Sequence, residues 1–309
     1  MKDSSRIVFW GTPQIAAICL KQLAQKYNIV AVVSQPDKPV GRKYQIMETP
    51  VKQVAKALGL PVLQPETLKN NTEFFEQLKA YNPDISVILA YGKIMPQVCL
   101  ELVKHNINLH FSLLPQYRGA APVQRALLDG KTKTGVTIQH VVYQLDCGDI
   151  ILQQELPIEP RHNTETLLQD CLKIGIPLLE QALELLIKEK APAIKQDETQ
   201  FSYAHKLEKT DGELLLEKHS AEQMFNIIRG CNPWPGAILS VNNLKLKIWQ
   251  AQLCRNFEGN LKEKAGSLKL IKNELIYFTN DGALILDIVQ PENKAKMSGI
   301  AFANGHLKQ

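Results

Sequence analysis

Short apolar runs alternate with amphipathic stretches through the first two-thirds of the chain. Apolar runs of strand length between turn residues predict β-strands, and apolar positions repeated every three or four residues predict helices. The predicted strands are 6–10, 28–34, 84–91, 107–111, 135–143 and 150–158, and the main predicted helices are 14–26, 50–58, 72–81 and 164–188. This alternation is typical of an α/β domain with a mostly parallel, Rossmann-like sheet.

The pattern changes after residue 188. Residues 189–200 are polar and lack an apolar period, which is typical of a linker. Beyond them, a helix over 221–229 precedes short predicted strands at 244–249, 266–271, 274–279 and 282–289. Short strands separated by turn residues favour a small, OB-like β-barrel. We therefore predict an N-terminal domain over 1–188, a linker over 189–205 and a C-terminal domain over 206–309.

Polar side chains interrupt the apolar strand at residues 107–111. Asn108 and His110 are two positions apart, so they are expected to project from the same face near the carboxyl end of the strand. An amide can donate to a developing oxyanion, and an imidazole can carry a proton. If the strand at 135–143 is a neighbour, Asp146 in the turn after it can face His110.

Two other interpretations of this region stay open. A polar pair on a strand can be purely structural, with both side chains satisfied by internal hydrogen bonds. Cys147 lies next to Asp146 and could be a nucleophile, although the sequence assigns no base to it.

Composition limits the remaining function classes. With 309 residues, 45% of them hydrophobic, the chain can bury a sizeable core. The net charge of +5 is compatible with a polyanionic partner without specifying one. The six cysteines form no C-x-x-C motif and no Cys/His cluster with zinc-finger spacing, so no metal site is expected. Because we find no signal-peptide pattern and no run of membrane-spanning length, we expect a cytoplasmic protein, working as a monomer.

Two further segments are candidates for contact with nucleic acid. Residues 35–49 contain prolines, a glycine and three basic residues, Lys38, Arg42 and Lys43, which is typical of a phosphate-binding loop or of a solvated surface loop. Residues 232–236, Asn-Pro-Trp-Pro-Gly, form a rigid turn whose Trp234 either contacts nucleic acid or packs against the end of the barrel. Residues 206–309 carry 14 Lys and Arg against 11 Asp and Glu, a surplus too small to decide.

Several motifs together resemble the formyltetrahydrofolate-dependent transferases. They are Asn108-x-His110, the Ser-Leu-Leu-Pro of 112–115, the Arg-Gly-Ala-Ala-Pro of 118–122 and the Leu-Asp-x-Gly-Asp of 145–149. The Asn-Pro-Trp-Pro of 232–235 narrows the resemblance to the members that formylate methionyl-tRNA. The resemblance covers nearly the full chain.

The resemblance implies an activity and a set of site residues. The formyl group of 10-formyltetrahydrofolate would pass to the α-amino group of initiator methionyl-tRNA, with Asn108, His110 and Asp146 as catalytic residues and no metal. The implied folate-binding residues are Ile88, Leu89, Ala90, Tyr91 and Gly92 together with Ser112, Leu113, Leu114 and Pro115. The implied tRNA-binding residues are Lys38, Arg42, Lys43 and Lys206.

The chain departs from the family pattern at three places, and three other functions compete. One departure is the apolar run at 214–216, Leu-Leu-Leu, where relatives usually have Ile-Asp-Trp. Lys43 stands where relatives often have glycine, and Phe111 stands where many have glycine, although Phe111 is expected to pack on the face opposite His110. Related enzymes formylate an amino-sugar nucleotide or glycinamide ribonucleotide. The basic loop at 35–49 and the β-rich C-terminal domain argue against glycinamide ribonucleotide. Their combination with the Asn-Pro-Trp-Pro of 232–235 argues against the amino-sugar nucleotide. A catalytically silent RNA- or folate-binding protein is disfavoured because Asn108, His110 and Asp146 are all present.

Overall fold

The computed structural model describes residues 4–40, 45–241, 244–254 and 264–307 of the chain. These residues form two units, each assembled from separate stretches of the chain. The first unit comprises the described residues within 1–120, 134–156 and 168–204, and the second those within 121–133, 157–167 and 205–309. The domain limits placed at residues 188 and 205 stay a prediction.

Eleven strands belong wholly or mainly to the first unit. They are β1 (Arg6–Gly11), β2 (Asn28–Val33), β3 (Lys38–Val40), β4 (Gln45–Met47), β5 (Val62–Leu63), β6 (Ile85–Leu89), β7 (His105–His110), β8 (Arg118–Gly119), β9 (Lys133–His140), β10 (Ile150–Pro157) and β11 (Tyr203–Ala204). Seven of them form the central sheet in the order β10-β9-β7-β6-β1-β2-β5. The pairs from β7 to β5 are parallel, which confirms the mostly parallel α/β prediction.

One part of the sheet differs from the simple expectation. β9 runs antiparallel to β7, although alternation of strands and helices alone favours parallel neighbours. A loop that contains β8 and then a short helix (Pro122–Leu128) separate the two strands in sequence. β9 ends beside the amino-terminal half of β7, where His140 faces Ile107, and the turn that follows returns Asp146 to Asn108. The result is that Asn108 faces Gln139 across the pair, and His110 faces Thr137.

Helices cover the sheet of the first unit and contribute to the second. The α-helices of the whole described chain are α1 (Gln14–Lys26), α2 (Pro50–Ala57), α3 (Thr72–Ala80), α4 (Gln97–Glu101), α5 (Pro122–Leu128), α6 (Thr164–Ile187), α7 (Ala221–Cys231) and α8 (Gly299–His306). Local signals explain where several begin: Thr49 caps α2 ahead of Pro50, and Ser220 and Gln223 form a capping box on α7. Every residue of β6 is buried, as expected for a central strand with both faces covered.

The described parts of the basic segment at 35–49 form the β3–β4 hairpin, where the sequence analysis predicts a loop. β3 and β4 pair antiparallel, and the base of the hairpin is held by an ion pair of 2.6 Å between Lys52 Nζ and Asp37 Oδ2. Gln64 Nε2 also donates to Asp37 Oδ1 at 2.7 Å. Arg42 and Lys43, two of the residues that the family resemblance implies for tRNA binding, lie outside the described residues.

The second unit is a curled mixed sheet packed on helices. Its strands are β12 (Glu213–Leu214), β13 (Ala237–Val241), β14 (Leu244–Leu253), β15 (Leu268–Ile271), β16 (Glu274–Phe278), β17 (Ala283–Pro291) and β18 (Met297–Ser298). The order is β12-β13-β14-β17-β16-β15, with β18 added beside β17, and all pairs except β12–β13 are antiparallel. Buried side chains of α7, such as Met224 and Ile228, and Phe302 of α8 fill the core. The β-rich, barrel-like prediction is confirmed.

In the ranges that the structure describes, no helix has the length and apolar character needed to cross a membrane.

Candidate active site

Asn108 and His110 lie at the carboxyl end of β7, in the middle of the sheet. β6 pairs with β7 so that Ile88 is opposite Asn108, which brings the ends of the two strands together. Asn108 is half-buried and the His110 side chain is 6% exposed. Sites in parallel α/β sheets form at this edge, and the predicted projection of both side chains toward one place is confirmed.

Asp146 completes the cluster from the turn after β9. Its Oδ1 accepts hydrogen bonds from Asn108 Nδ2 at 3.3 Å and from Gln139 Nε2 at 3.0 Å. Its Oδ2 accepts from the Gly119 amide at 2.9 Å and lies 3.7 Å from His110 Nδ1. The expected approach of Asp146 to His110 is therefore present, and the carboxylate ties together β7, β9 and the loop before α5.

A backbone carbonyl decides which nitrogen of His110 carries a proton in the neutral ring. His110 Nε2 lies 2.9 Å from the Tyr117 carbonyl oxygen, which can only accept. The neutral imidazole therefore has its hydrogen on Nε2, and Nδ1 presents a lone pair toward Asp146. Nδ1 is thus the ring atom that is able to gain and lose a proton.

A small cavity opens beside this cluster. It has a volume of about 80 Å³, and its lining includes Asn108, Gln139 and Asp146 from the cluster and Ile88, Lys93 and Tyr143 around it. Asn108 Nδ2 has two hydrogens, and Asp146 uses one of them. The second hydrogen is available to a group bound in the cavity.

Hydrogen bonds from within the loop and from the neighbouring strands β9 and β10 hold the Ser-Leu-Leu-Pro segment after β7. The buried Ser112 Oγ donates to the Gln116 carbonyl at 2.6 Å, and Thr137 Oγ1 donates to the Ser112 carbonyl at 2.6 Å. Gln153 Nε2 donates to the Leu114 carbonyl at 2.8 Å. Leu113 and Pro115 are half-buried, whereas Leu114 is buried. Since the Ser112 hydroxyl is already used, this segment offers backbone and apolar surface rather than a free hydroxyl.

The segment after β6 combines a buried strand end with an exposed turn. Ile88, Leu89 and Tyr91 are buried, whereas Ala90 and Gly92 are exposed with positive φ angles of 49° and 81°. The Tyr91 carbonyl accepts hydrogen bonds from Thr12 Oγ1 at 3.1 Å and Gln35 Nε2 at 2.8 Å. A Cβ on Gly92 would lie 2.5 Å from Gln35 Nε2, so the glycine also lets the Gln35 side chain lie close to the backbone.

The described basic residues that were assigned to tRNA occupy separate units. Lys38, in the first unit, donates from Nζ to Gln35 Oε1 at 3.2 Å. Lys206 is exposed in the second unit, where its carbonyl accepts from Arg125 Nη2 at 3.3 Å.

The second unit also carries a cluster that we call the lysine–tryptophan surface, formed by Trp234, Lys247, Trp249 and Lys296. Trp234 and Lys296 are exposed, whereas Lys247 and Trp249 are half-buried. The Nζ atoms of Lys247 and Lys296 lie 4.0 Å and 3.2 Å from the centroid of the Trp249 ring. Lys247 Nζ also donates to the Pro233 carbonyl at 3.0 Å, next to Trp234. Burial and then the charge of Lys296 lower the pKa of Lys247. Trp234 is 52% exposed, so about half of its surface is open to a contact, and the choice between packing and nucleic-acid binding stays a prediction.

Cys147 does not have the surroundings of a nucleophile. Burial raises the pKa of its thiol, and the nearby Arg118 offsets this only in part. A raised pKa reduces the thiolate fraction on which cysteine reactivity depends.

The sequence analysis missed three polar residues that support the cluster. Gln139 on β9 lies directly opposite Asn108 on β7. The register of the two strands would have revealed this placement once their pairing was known. The sequence analysis includes Arg118 in the Arg-Gly-Ala-Ala-Pro motif but assigns no role to it. Gln196 lies 50 residues after Asp146 in a stretch without an apolar period, so no local signal pointed to it.

The cluster and the sheet define a class of enzyme that performs acyl-type group transfer, with an amide donor, an imidazole and a carboxylate at the strand ends. A family model described as "Formyl transferase" matches residues 5–183, and one described as "Formyl transferase, C-terminal domain" matches residues 206–307. The chain therefore belongs to the formyl transferase family, as the motifs predicted.

Individual relatives agree with this assignment. The chain is 42% identical over 303 residues to "Methionyl-tRNA formyltransferase" of Listeria monocytogenes serotype 4a, covering 97% of this chain and 96% of that protein. In fold, it is similar to HypX from Aquifex aeolicus in complex with tetrahydrofolic acid, with a TM-score of 0.68 and 16% identity over 99% of this chain and 48% of that one. It is also similar to the sugar 3N-formyl transferase WlaRD, with a TM-score of 0.65 and 21% identity, and the match covers 95% of this chain and 100% of that one.

Proposed function

We propose that this protein transfers the formyl group of 10-formyltetrahydrofolate to the α-amino group of initiator methionyl-tRNA, giving N-formylmethionyl-tRNA for translation initiation. The observation that carries the proposal is the convergence of Asn108, His110 and Asp146 in a chain that is similar, over 97% of its length, to a protein of that name. Because initiator methionyl-tRNA belongs to the translation machinery, the proposal includes a cytoplasmic location. It also includes a monomeric enzyme.

The first chemical step is attack of an uncharged amine on the formyl carbon. The new C–N bond turns the carbonyl into a tetrahedral oxyanion. Asn108 Nδ2 spends one hydrogen on Asp146 and directs the other to the cavity, where it can donate to this oxyanion. A donor that is already oriented stabilises the developing charge without reorganising at the moment of reaction.

The second step moves one proton from the attacking nitrogen to the departing folate nitrogen. His110 exchanges it at Nδ1, since Nε2 is occupied by the Tyr117 carbonyl. The Asp146 carboxylate takes this proton from the amine through a water and passes it to Nδ1, which lies 3.7 Å from Oδ2, and the restored carboxylate charge favours the positively charged ring. His110 then gives the proton to the folate nitrogen. The C–N bond to folate then breaks, and the oxyanion returns to a carbonyl. This scheme uses no metal and no redox step.

The proposed folate subsite uses the two segments that follow β6 and β7. Residues 88–92 and 112–115 border the catalytic cluster, and their conformations are fixed by the contacts to the Tyr91 and Leu114 carbonyls. We assign pterin recognition to their backbone groups and apolar side chains. This matches the Ser112 hydroxyl, which is already engaged within its own loop.

The proposed tRNA contacts rest on charge and on exposed aromatic surface. Lys38 lies in β3 of the first unit and Lys206 in the second unit, and Arg42 and Lys43 follow Lys38 closely in the sequence. The lysine–tryptophan surface adds two cations, Lys247 and Lys296, and the exposed indole of Trp234. This combination is suited to phosphates and bases.

The test is formyl transfer from 10-formyltetrahydrofolate to methionyl-tRNA, with glycinamide ribonucleotide and an amino-sugar nucleotide as parallel acceptors. We expect transfer to the tRNA alone and its loss in Asn108→Ala. Gln144→Ala, which removes an exposed amide close to Asp146, is the matched control and should retain activity. Transfer to either small acceptor instead would refute the proposed acceptor.

A further inference from the structure

One stretch of the first unit, residues 196–204, contacts both loops that hold the catalytic cluster. It lies inside the segment that composition predicts to be a linker. β11 pairs with β8 in parallel, and the amides of Arg118 and Ala120 donate to the carbonyls of Ser202 at 2.8 Å and Ala204 at 2.9 Å. A Cβ on Gly119 would lie 2.9 Å from the Ala204 carbonyl oxygen, so the two backbones are in close contact. The loop that supplies the Tyr117 carbonyl is thus fixed from this side.

Gln196 lies at the centre of these contacts and is buried, with 9% exposure. Its Nε2 donates to the carbonyls of Asp146 at 2.9 Å and Gly148 at 2.7 Å. Its Oε1 accepts from Arg118 at 3.0 Å (Nε) and 2.7 Å (Nη2). The amide orientation is unambiguous, because carbonyls only accept and a guanidinium only donates.

The same amide also orients Gln139. The two hydrogens of Gln196 Nε2 point to the Asp146 and Gly148 carbonyls, so its 3.3 Å contact with Gln139 Oε1 is a weaker, shared hydrogen bond. It leaves the Gln139 amino group to donate to Asp146 Oδ1 at 3.0 Å. Gln196 therefore holds the Asp146 backbone directly and the Asp146 carboxylate through Gln139. Through Arg118 it also reaches the loop whose Tyr117 carbonyl sets the tautomer of His110.

Both loops need such support because their backbones are unusual. Asp146 and Tyr117 have φ angles of 53° and 59°, in the left-handed region that non-glycine residues rarely adopt. Backbone strain of this kind persists only where surrounding contacts over-determine it. Arg118 adds to the clamp, since it is 1% exposed and pairs with Glu198 Oε1 at 2.6 Å and Oε2 at 3.0 Å.

We propose that Gln196 is a positioning residue of the formyl-transfer site. Its amide bonds both to the turn that carries Asp146 and to Arg118 in the loop that carries the Tyr117 carbonyl, and so it fixes the position of Asp146 and the Nε2-protonated tautomer of His110. This inference rests on the proposed function for its kinetic consequences. The tautomer is a property of the resting protein and can be measured without turnover.

Two substitutions separate the two halves of the amide. Gln196→Glu keeps the acceptor for Arg118 but replaces the donors to Asp146 and Gly148 with carboxylate oxygens. Gln196→Met removes both halves at similar volume. If Gln196 served only to satisfy Arg118, Gln196→Glu would behave like the parent. If it positions the Asp146 turn, both variants lose turnover. Gln200→Glu is the matched control, because Gln200 is exposed in the same segment and bonds only to Asp197.

The kinetic experiment measures kcat and KM for formyl transfer to methionyl-tRNA. For Gln196→Glu we expect kcat to fall about 10- to 100-fold, the usual cost when a residue that orients a reacting group is lost, with KM for both substrates within about threefold of the parent. The Gln200→Glu control should match the parent. A folded Gln196→Glu variant with kcat within about twofold of the parent would overturn the proposal, as would a change confined to KM.

The second readout is the ¹⁵N spectrum of the histidine rings, recorded over a pH series and compared on its high-pH plateau, where the rings are neutral. The His110 signals are identified by their loss in His110→Ala. We expect hydrogen on Nε2 in the parent and a shift toward a mixture of tautomers in Gln196→Glu. An unchanged tautomer in both Gln196 variants would contradict the proposal. If the parent does not formylate tRNA, the proposed function fails while this readout still tests the positioning. If Gln196→Glu does not fold, Gln196→Met supplies both measurements.

Discussion

The catalytic cluster of the first unit and the lysine–tryptophan surface of the second unit use polar groups in opposite ways. In the cluster, the Asp146 carboxylate is 8% exposed and meets Asn108, Gln139 and the Gly119 amide. On the surface, Lys247 and Lys296 share one indole without a carboxylate partner in the described part of the chain. A reaction needs atoms at fixed positions, whereas binding to a polyanion needs charge that is free to be neutralised by phosphate. Substitutions should therefore change kcat in the first region and tRNA affinity in the second.

The largest effect is expected from His110→Ala. Removal of the proton carrier should lower kcat by about 100- to 10,000-fold, the usual range for general acid–base catalysis, while tRNA affinity stays unchanged. Single-turnover formyl transfer and tRNA binding are measured on the same preparation. His105→Ala, at the other end of β7, is the matched control. Near-normal turnover by a well-folded His110→Ala variant would remove His110 from the mechanism.

A smaller effect concerns the stability of the second unit, through Asp211 and Arg125. Asp211 Oδ1 and Oδ2 each accept from Arg125 at 2.9 Å, and Oδ2 accepts from the Glu208 amide. Burial alone would raise the pKa of Asp211, but these hydrogen bonds outweigh it and lower the pKa below its ordinary value. Asp211→Asn should cost about 2 kcal/mol of unfolding free energy at pH 7, as is usual for hydrogen bonds to charged groups.

The sign of its pH dependence follows from the lowered pKa. The contribution of Asp211 is complete above the unfolded-state pKa of about 4 and is lost as the pH falls through the lower folded-state value. The gap in denaturant midpoint between the parent and Asp211→Asn should therefore narrow below about pH 4. Asp197→Asn removes one exposed carboxylate and controls for the change in net charge. A gap that stays constant with pH would contradict this account.

The difference between the two regions was only partly readable from sequence. The two-residue spacing of Asn108 and His110 and the turn that carries Asp146 are local patterns, so the three catalytic candidates were predicted together. The supporting residues were not, because Gln196 acts through contacts with residues about 50 positions earlier and its segment has no periodicity. The antiparallel β9 and the β3–β4 hairpin depend on pairing, which composition does not encode. The exposure of Trp234 is likewise a tertiary property that the sequence does not encode.

The next effect tests the second region directly. Lys247→Ala with Lys296→Ala should weaken tRNA binding roughly tenfold and lower the slope of log affinity against log salt by about two, one unit for each lost phosphate contact. The value of kcat at saturating tRNA should not change. The control Lys218→Ala with Lys272→Ala removes the same charge elsewhere in the second unit. If both double variants weaken binding equally, net charge matters and the lysine–tryptophan surface does not.

The smallest effect is expected from Lys104→Ala in the first unit. Lys104 pairs with a carboxylate, so this variant shows whether tRNA binding depends on lysines without such a partner, as on the lysine–tryptophan surface. Lys104 Nζ lies 2.6 Å from Glu189 Oε1, and the two side chains are 62% and 73% exposed. Such a pair contributes little to stability because solvent and salt screen it, so the thermal midpoint should stay nearly unchanged. Its charge is already compensated locally, so tRNA affinity should fall by less than about twofold at physiological salt. A loss as large as that from Lys247→Ala alone would mean that any surface lysine supports binding. Affinity titrations of both single variants at two salt concentrations distinguish location from total charge.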